Sequence, residues 1–342
     1  MNSSLQFGVN STRNLFADSL QTTLTNIVSI FSTLTTFIGV YTILRARSRE
    51  TLGHKYIQII YHIILYLAQL FAGSALNMVL LFPTPAIYCI GWLRNVTDWG
   101  VIGFLTLFYF LFSFQGQLLA ILLLAEIQIV ARRDSVFKVH KFLAVLGLLC
   151  FVALNTAPHA LGFILSYNPR PILLEYVEKS LPYHGFLARY PFLWISTSKK
   201  VYLFMIAVLF CSVGLIIFII LVAYIVVFYE LERQVNTMSK KVASAHKQLI
   251  DEVMLHGKII FPFFALIPAQ MYAQFFVKEE TDVSVPLAIS FSIFTSAPIP
   301  AMLVFLYSNP TYKKFFVDIM LMNRRSTPIR VASVGSSNFL CT

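Results

Sequence analysis

The stretch VYLFMIAVLFCSVGLIIFIILVAYIVVFY, Val201–Tyr229, decides the fold. It runs for 29 residues without an Asp, Glu, Lys or Arg. A helix of ~20 apolar residues crosses a bilayer core, and in lipid the backbone finds partners only inside such a helix or a closed barrel. Six further stretches read the same way: Leu24–Leu44, Tyr56–Phe82, Val101–Val130, Phe142–Tyr167, Ile259–Val277 and Val285–Ser308. Pro158, Pro262, Pro268, Pro298 and Pro300 fall inside them and predict kinks rather than breaks. The expected fold is all-α, a bundle of seven transmembrane helices. Composition agrees: 58% of the 342 residues are hydrophobic and 12% charged, against about half and a quarter in a soluble domain. Lipid is therefore a solvent for much of the chain.

Charge orients the bundle. The net charge of +11 would suggest nucleic acid on a soluble protein, but here the Lys and Arg lie in loops, and no nucleic-acid partner is expected. With the N-terminus outside, 18 Lys and Arg face the cytoplasm and 8 face outward, as the positive-inside rule requires. The three Asn-X-Ser/Thr sites, at Asn2, Asn10 and Asn95, all fall on the outer side in this topology, where glycosylation occurs. Asn95 is crowded by the third helix and ranks below the other two. Met1–Leu20 has no basic start followed by an apolar run, so the first apolar helix is expected to direct its own insertion.

The expected organisation is an extracellular N-terminus over 1–23, the bundle over 24–308, an amphipathic surface helix over 309–325 and a disordered, Ser-rich cytoplasmic tail over 326–342. The surface helix is read from Tyr312, Phe315, Phe316 and Ile319, which share one face at helical spacing. The cysteines Cys89, Cys150, Cys211 and Cys341 have no metal-ligand spacing. No metal or cofactor is expected.

Local motifs in this frame resemble the nematode serpentine chemoreceptors, G protein-coupled receptors of the Srh/Sri/Str group. The first helix ends Ile38-Gly39-Val40-Tyr41-Thr42-Ile43-Leu44 before a basic loop. Leu81-Phe82-Pro83 follows the second helix, and Leu181-Pro182-Tyr183 lies in the long loop after the fourth. His246-Lys247-Gln248-Leu249 precedes the sixth helix, which contains Ile267-Pro268. Asn309-Pro310-Thr311-Tyr312-Lys313-Lys314-Phe315-Phe316 follows the seventh. The chain departs from rhodopsin-like receptors in having Glu126-Ile127-Gln128 in place of Asp/Glu-Arg-Tyr, no Asp in the second helix, and Cys89 as its one extracellular cysteine, which leaves no outer disulfide. The resemblance implies a chemosensory, olfactory-type receptor in the plasma membrane of sensory cilia. Its implied partners are an odorant-like small molecule, a heterotrimeric G protein, the bilayer and, in an oligomer, further receptor copies.

By the same analogy the outer halves of helices three, five, six and seven form the pocket, with Tyr109, Phe112, Gln270, Tyr272 and Gln274 as its candidate wall. Such a wall, aromatic and poor in charge, suits a small volatile or apolar ligand. The alternatives are interhelical hydrogen bonding for Gln69, Ser74, Asn77, Gln115, Gln117, Asn155, His159 and the two Gln, and lipid-facing packing for the aromatic residues. Glu126, Arg132, Arg133 and Lys247 are the candidates for the G-protein face. Glu126, the acidic residue of the third stretch, would pair with Arg132 or Lys258 and lock the sixth helix; otherwise it is an interfacial acid with no switching role. A transporter or channel is the competing function, but no charged mid-membrane path or internal repeat is visible. No His-Glu-x-x-His or paired intramembrane Asp suggests an enzyme.

Overall fold

Satisfying the backbone inside each apolar segment makes helices of them all. The computed structural model describes residues 3–46, 52–81, 85–131, 135–234, 240–273 and 283–320. Its helices are α1 (Ser3–Arg45), α2 (Leu52–Leu70), α3 (Trp99–Val130), α4 (Lys141–Leu165), α5 (Arg170–Ser180), α6 (Lys199–Gln234), α7 (Lys240–Ala273), α8 (Ser284–Thr295), α9 (Pro298–Ser308) and α10 (Pro310–Met320). Among the described residues six spans are long and apolar enough to cross a membrane: Phe16–Arg45, Lys55–Leu76, Trp99–Val130, Phe142–Leu165, Lys199–Gln234 and Ser284–Ser308. The expected sixth span, Ile259–Val277, corresponds to the second half of α7 and leaves the described residues after Ala273.

The helices alternate in direction. One end of the bundle carries a small β-sheet and the other carries α10; they are called here the sheet end and the tail end. At 1.5 Å per residue the 36 residues of α6 extend ~54 Å, well beyond a hydrocarbon core ~30 Å thick. The surplus of α6 and of the 32-residue α3 forms the polar tail end.

Four features depart from the expected pattern. First, α1 begins at Ser3, so most of the segment assigned to a separate N-terminus is helical, Asn10 included; Asn2 lies outside the described residues.

Second, the stretch beginning at Tyr56 does not stay helical to Phe82. A π-turn over Phe71–Leu76 loosens it, and Asn77 then adopts a left-handed conformation (φ 43°). Asn tolerates that region better than most residues. The Asn77 side chain accepts from Gln21 Nε2 at 2.9 Å and donates to Thr22 Oγ1 at 3.2 Å. Strand β1 (Met78–Leu81) follows and pairs with β2 (Ala86–Cys89), which pairs with β3 (Leu193–Ile195), all antiparallel. Tyr88 stands between Val79 and Leu193.

Third, the Pro298 region divides the last span into α8 and α9, but Ser296 and Ala297 keep helical dihedrals, so the result is a kink. Fourth, α10 does not lie only on a lipid face. Tyr312 and Phe316 are buried against Ile43 of α1 and Met302 and Phe305 of α9, while Lys313 and Lys314 are exposed. The Ile319 side chain and residues 321–342, the expected tail among them, lie outside the described residues.

The core has a sheet-half cluster around Leu105, Phe108, Tyr109 and Phe294, and a tail-half cluster around Leu123, Val227 and Ile250. Helix α4 joins the bundle only near the sheet end: from Phe142 to Leu154 none of its residues is buried.

Candidate functional site

Between the two clusters lies a cavity of about 100 Å³. Helix α3 crosses it, and Phe112, Gln115, Gly116 and Leu119 line it, a spacing that puts them on one helical face. A Cβ on Gly116 would come within 3.1 Å of Ile216 on α6, so glycine lets these two helices approach. Across the cavity, α7 contributes Gly257, Ile260 and Phe261, and a Cβ on Gly257 would meet nothing within 4 Å. Helix α2 adds Tyr61 and α4 adds His159. No Asp, Glu, Lys or Arg is among the described lining residues.

Most of the cavity's polar groups satisfy one another. Ser113 Oγ accepts from Asn155 Nδ2 at 2.7 Å and from Gln117 Nε2 at 2.9 Å. His159 Nε2 and Ser212 Oγ lie 2.9 Å apart in a hydrogen bond. The Tyr61 hydroxyl oxygen is buried out of contact with this open space and has no hydrogen-bond partner among the described residues; the same residue also borders a smaller cavity with Gln58, His62 and His256.

Of the five expected pocket residues, Phe112 lines this cavity. Tyr109 sits one turn toward the sheet end, its ring 5.5 Å from His159 and 5.0 Å from Phe163. Gln270 is buried, both its amide atoms have no hydrogen-bond partner among the described residues, and it does not line the cavity. Tyr272 lies in the last turn of α7, and its side chain, like all of Gln274, lies outside the described residues. Sequence reasoning passed over Tyr61, Ser212 and Gly257. A tyrosine in an aromatic-rich chain carries no pattern signal, and a glycine facing open space looks like any other.

Helix α1 binds the sheet end to the bundle. Asp18 accepts from the Tyr88 hydroxyl at 2.7 Å and the Tyr190 hydroxyl at 2.8 Å. Burial, reinforced by the Asp18 charge, pushes both phenols above their usual range and keeps them as donors. Arg170 opens α5 and donates to the carbonyls of Tyr190 (3.0 Å), Pro191 (2.6 Å) and Ala188 (3.2 Å). Cys89 is a free, buried thiol in β2; burial raises its pKa to about 12 and leaves it unreactive. Asn95 is exposed in the turn before α3, at this same end.

At the tail end Glu126 finds a partner on α7, the imidazole of His246 and not Lys258, while Arg132 lies outside the described residues. His246 Nδ1 pairs with Glu126 Oε1. Twelve residues separate His246 from Lys258, which puts Lys258 ~18 Å up the helix, where it is exposed. The hydrogen bond to Glu126 raises the His246 pKa, burial opposes the rise, and the carboxylate charge adds to it. Arg132 and Arg133 lie outside the described residues, and Lys247 is exposed beside His246. The loop after α3 is pinned by Gln128, which donates to Phe137 O at 2.8 Å and accepts from Val139 N at 3.1 Å. Ser135 Oγ donates to Glu230 Oε1 on α6 at 2.8 Å. Val136 is left projecting, 88% exposed.

A family model described as serpentine type 7TM GPCR chemoreceptor Sri matches residues 20–316. No curated protein sequence matches the chain.

Proposed function

The chain belongs to the Sri family of serpentine seven-transmembrane chemoreceptors, integral membrane proteins of the G protein-coupled class, and on that footing we propose that it binds a small environmental molecule in the central cavity and activates a heterotrimeric G protein at its tail end. The sheet end faces outward and the tail end lies in the cytoplasm of a sensory cell, in the ciliary plasma membrane. The charge count supports that orientation, and so do the sequons, since Asn10 and Asn95 both belong to the sheet end.

One observation carries the reading: α7 touches both functional regions. Gly257, Ile260 and Phe261 form one wall of the cavity, and His246, three turns away on the same helix, holds Glu126 of α3. A guest that binds better when α7 has shifted draws the population toward that state and separates the His246–Glu126 pair. The exposed Val136 and Lys247, joined by Arg132 and Arg133, then form the contact face for the G protein.

Expression with a promiscuous Gα and a calcium readout, over volatile and water-soluble cues, tests the reading. A ligand-dependent calcium signal is expected. Ion or solute flux with no Gα coupling across a broad panel overturns it in favour of a channel or transporter. Replacing Asn2, Asn10 and Asn95 by Gln tests the orientation through loss of a glycan mobility shift.

A further inference from the structure

We infer that the receptor holds one anionic phospholipid at its tail end, with an acyl chain between α3 and α4 and the headgroup on Lys138 and His140. That the lipid comes from the cytoplasmic leaflet, which is the anionic one, rests on the orientation proposed above.

The acyl chain follows from the way α4 leans. Ala144, Leu148, Phe151 and Asn155 recur at helical spacing and form one face of α4. Asn155 is buried and fastened to α3, its Nδ2 donating to Ser113 Oγ at 2.7 Å. The three residues on its tail side are only half-buried. On α3 the stripe that continues from Ser113 behaves alike. Gln117 is fully buried, whereas Ile121, Leu124 and Gln128 are half-buried. The two helices therefore meet at Asn155 and part toward the tail end, leaving a cleft.

An empty cleft would forfeit the dispersion contacts of its walls, so in a bilayer it fills with hydrocarbon. From Lys141 to Asn155 the helix rises ~21 Å, and one leaflet's half of the hydrocarbon core is ~15 Å. The cleft is thus deep enough for an acyl chain. Its walls are half-buried rather than bare, so it does not take a second helix, which is ~10–12 Å across.

The mouth of the cleft is basic. The chain over 132–141 carries Arg132, Arg133, Lys138 and Lys141 against one acid, Asp134. Residues 135–140 form the loop at the mouth, tied to α3 through Gln128. Lys138 and His140 are exposed there. Lys138 Nζ donates to the Gln128 carbonyl, and an ammonium has two further protons to give. His140 Nδ1 accepts from Phe142 N at 3.3 Å, which puts the ring proton on Nε2 as a second donor. A phosphate at this mouth meets both.

The experiment places full-length receptor in nanodiscs of phosphatidylcholine with a minor fraction of phosphatidylglycerol. Native mass spectrometry reads the lipid retained, and thermal unfolding reports whether each variant folds. Wild type is expected to keep one phosphatidylglycerol, enriched over phosphatidylcholine at least ~5-fold relative to the nanodisc, the worth of one basic contact. Lys138→Gln with His140→Gln should lose that enrichment. Lys313→Gln with Lys314→Gln removes two charges from α10, away from the cleft, and should keep it. Ala144→Trp should fill the cleft and expel the lipid. Leu148→Trp does so from the next turn, should the first variant fail to fold.

Equal retention of the two lipids in wild type overturns the inference. So does enrichment that survives Lys138→Gln with His140→Gln, or that falls as far with the α10 variant, as diffuse attraction to the basic end would give. Phosphatidylglycerol retained unchanged in the tryptophan variants overturns it too. A nanodisc offers both leaflets, so binding is read whichever way the receptor inserts. Failure of the glycosylation test would reverse the orientation and leave the lipid site standing.

Discussion

The sheet end and the tail end are fastened by different means. At the sheet end, separate parts of the chain converge on shared partners: one carboxylate, Asp18, takes two phenols, one guanidinium, Arg170, takes three carbonyls, and Gln21 holds both Asn77 and the Met78 carbonyl. Opening it means breaking these bonds together. At the tail end α6 is tied to α3 and its loop through Glu230 and Gln234, but α7 is tied to α3 by the His246–Glu126 pair. A receptor that moves one helix against a fixed frame needs such an asymmetry, because mobile elements come from the weakly held part of a fold. The sheet end thus takes the role that a disulfide cannot fill here, with Cys89 a free thiol.

The largest effect should come from Asp18→Ala. Tyr88 and Tyr190 would lose their shared acceptor in a buried setting, which costs about 2–4 kcal/mol. Surface expression and thermal unfolding in nanodiscs should both fall, and Asp18→Asn, which keeps one oxygen acceptor, should fall less. An unchanged unfolding temperature in the alanine variant would mean that the sheet end is not held through this carboxylate. Next comes Arg170→Ala, at about 1–3 kcal/mol for lost charged hydrogen bonds. Limited proteolysis of the loop between Ser180 and Lys199 reads it out directly. Lysine should rescue little, since an ammonium cannot reproduce the guanidinium fork.

How much of this was legible in the sequence follows the same division. The helices were, since a charge-free run such as Val201–Tyr229 has few other solutions in lipid. The sheet was not: Met78–Leu81 continues an apolar run, and periodicity does not tell a short buried strand from helix. What ends the helix is the left-handed Asn77, held by Gln21 and Thr22 more than fifty residues earlier in the chain. Asp18 and Tyr190 are 172 residues apart, and Glu126 and His246 are 120 apart. Glu126 could be singled out as a lone acid in an apolar helix and assigned a cationic partner, but which cation it meets depends on the length and tilt of α7, and these are set by packing. The family motifs were legible, and the match over residues 20–316 agrees with them.

Weakening the tail-end tie should change activity more than stability. Glu126→Gln removes the charge opposite His246 and should raise ligand-free signalling ~3–10-fold, the effect of about 1 kcal/mol on a two-state balance. His246→Ala should do the same, and the double variant should match either single one, because both remove the same interaction. Additive effects in that cycle would mean that the pair is not what restrains α7.

The smallest effect is that of pH, and its sign follows from the raised pKa of His246. A group whose pKa is raised by a partner lends its stabilisation fully below its ordinary value, 6.5 here, and loses it as pH climbs through the raised one. The charged imidazole grips Glu126 and the neutral one grips it less, so acidifying the cytoplasm should hold α7 closed and alkalinising it should release α7. Ligand-free signalling in wild type should therefore rise with cytoplasmic pH. In Glu126→Gln the hydrogen bond that raises the pKa is weakened and the charge that raises it is gone, while the burial that lowers it stays. The rise should then flatten and move to lower pH. A pH response identical in the two proteins would locate the titrating group elsewhere and leave His246 with a packing role alone.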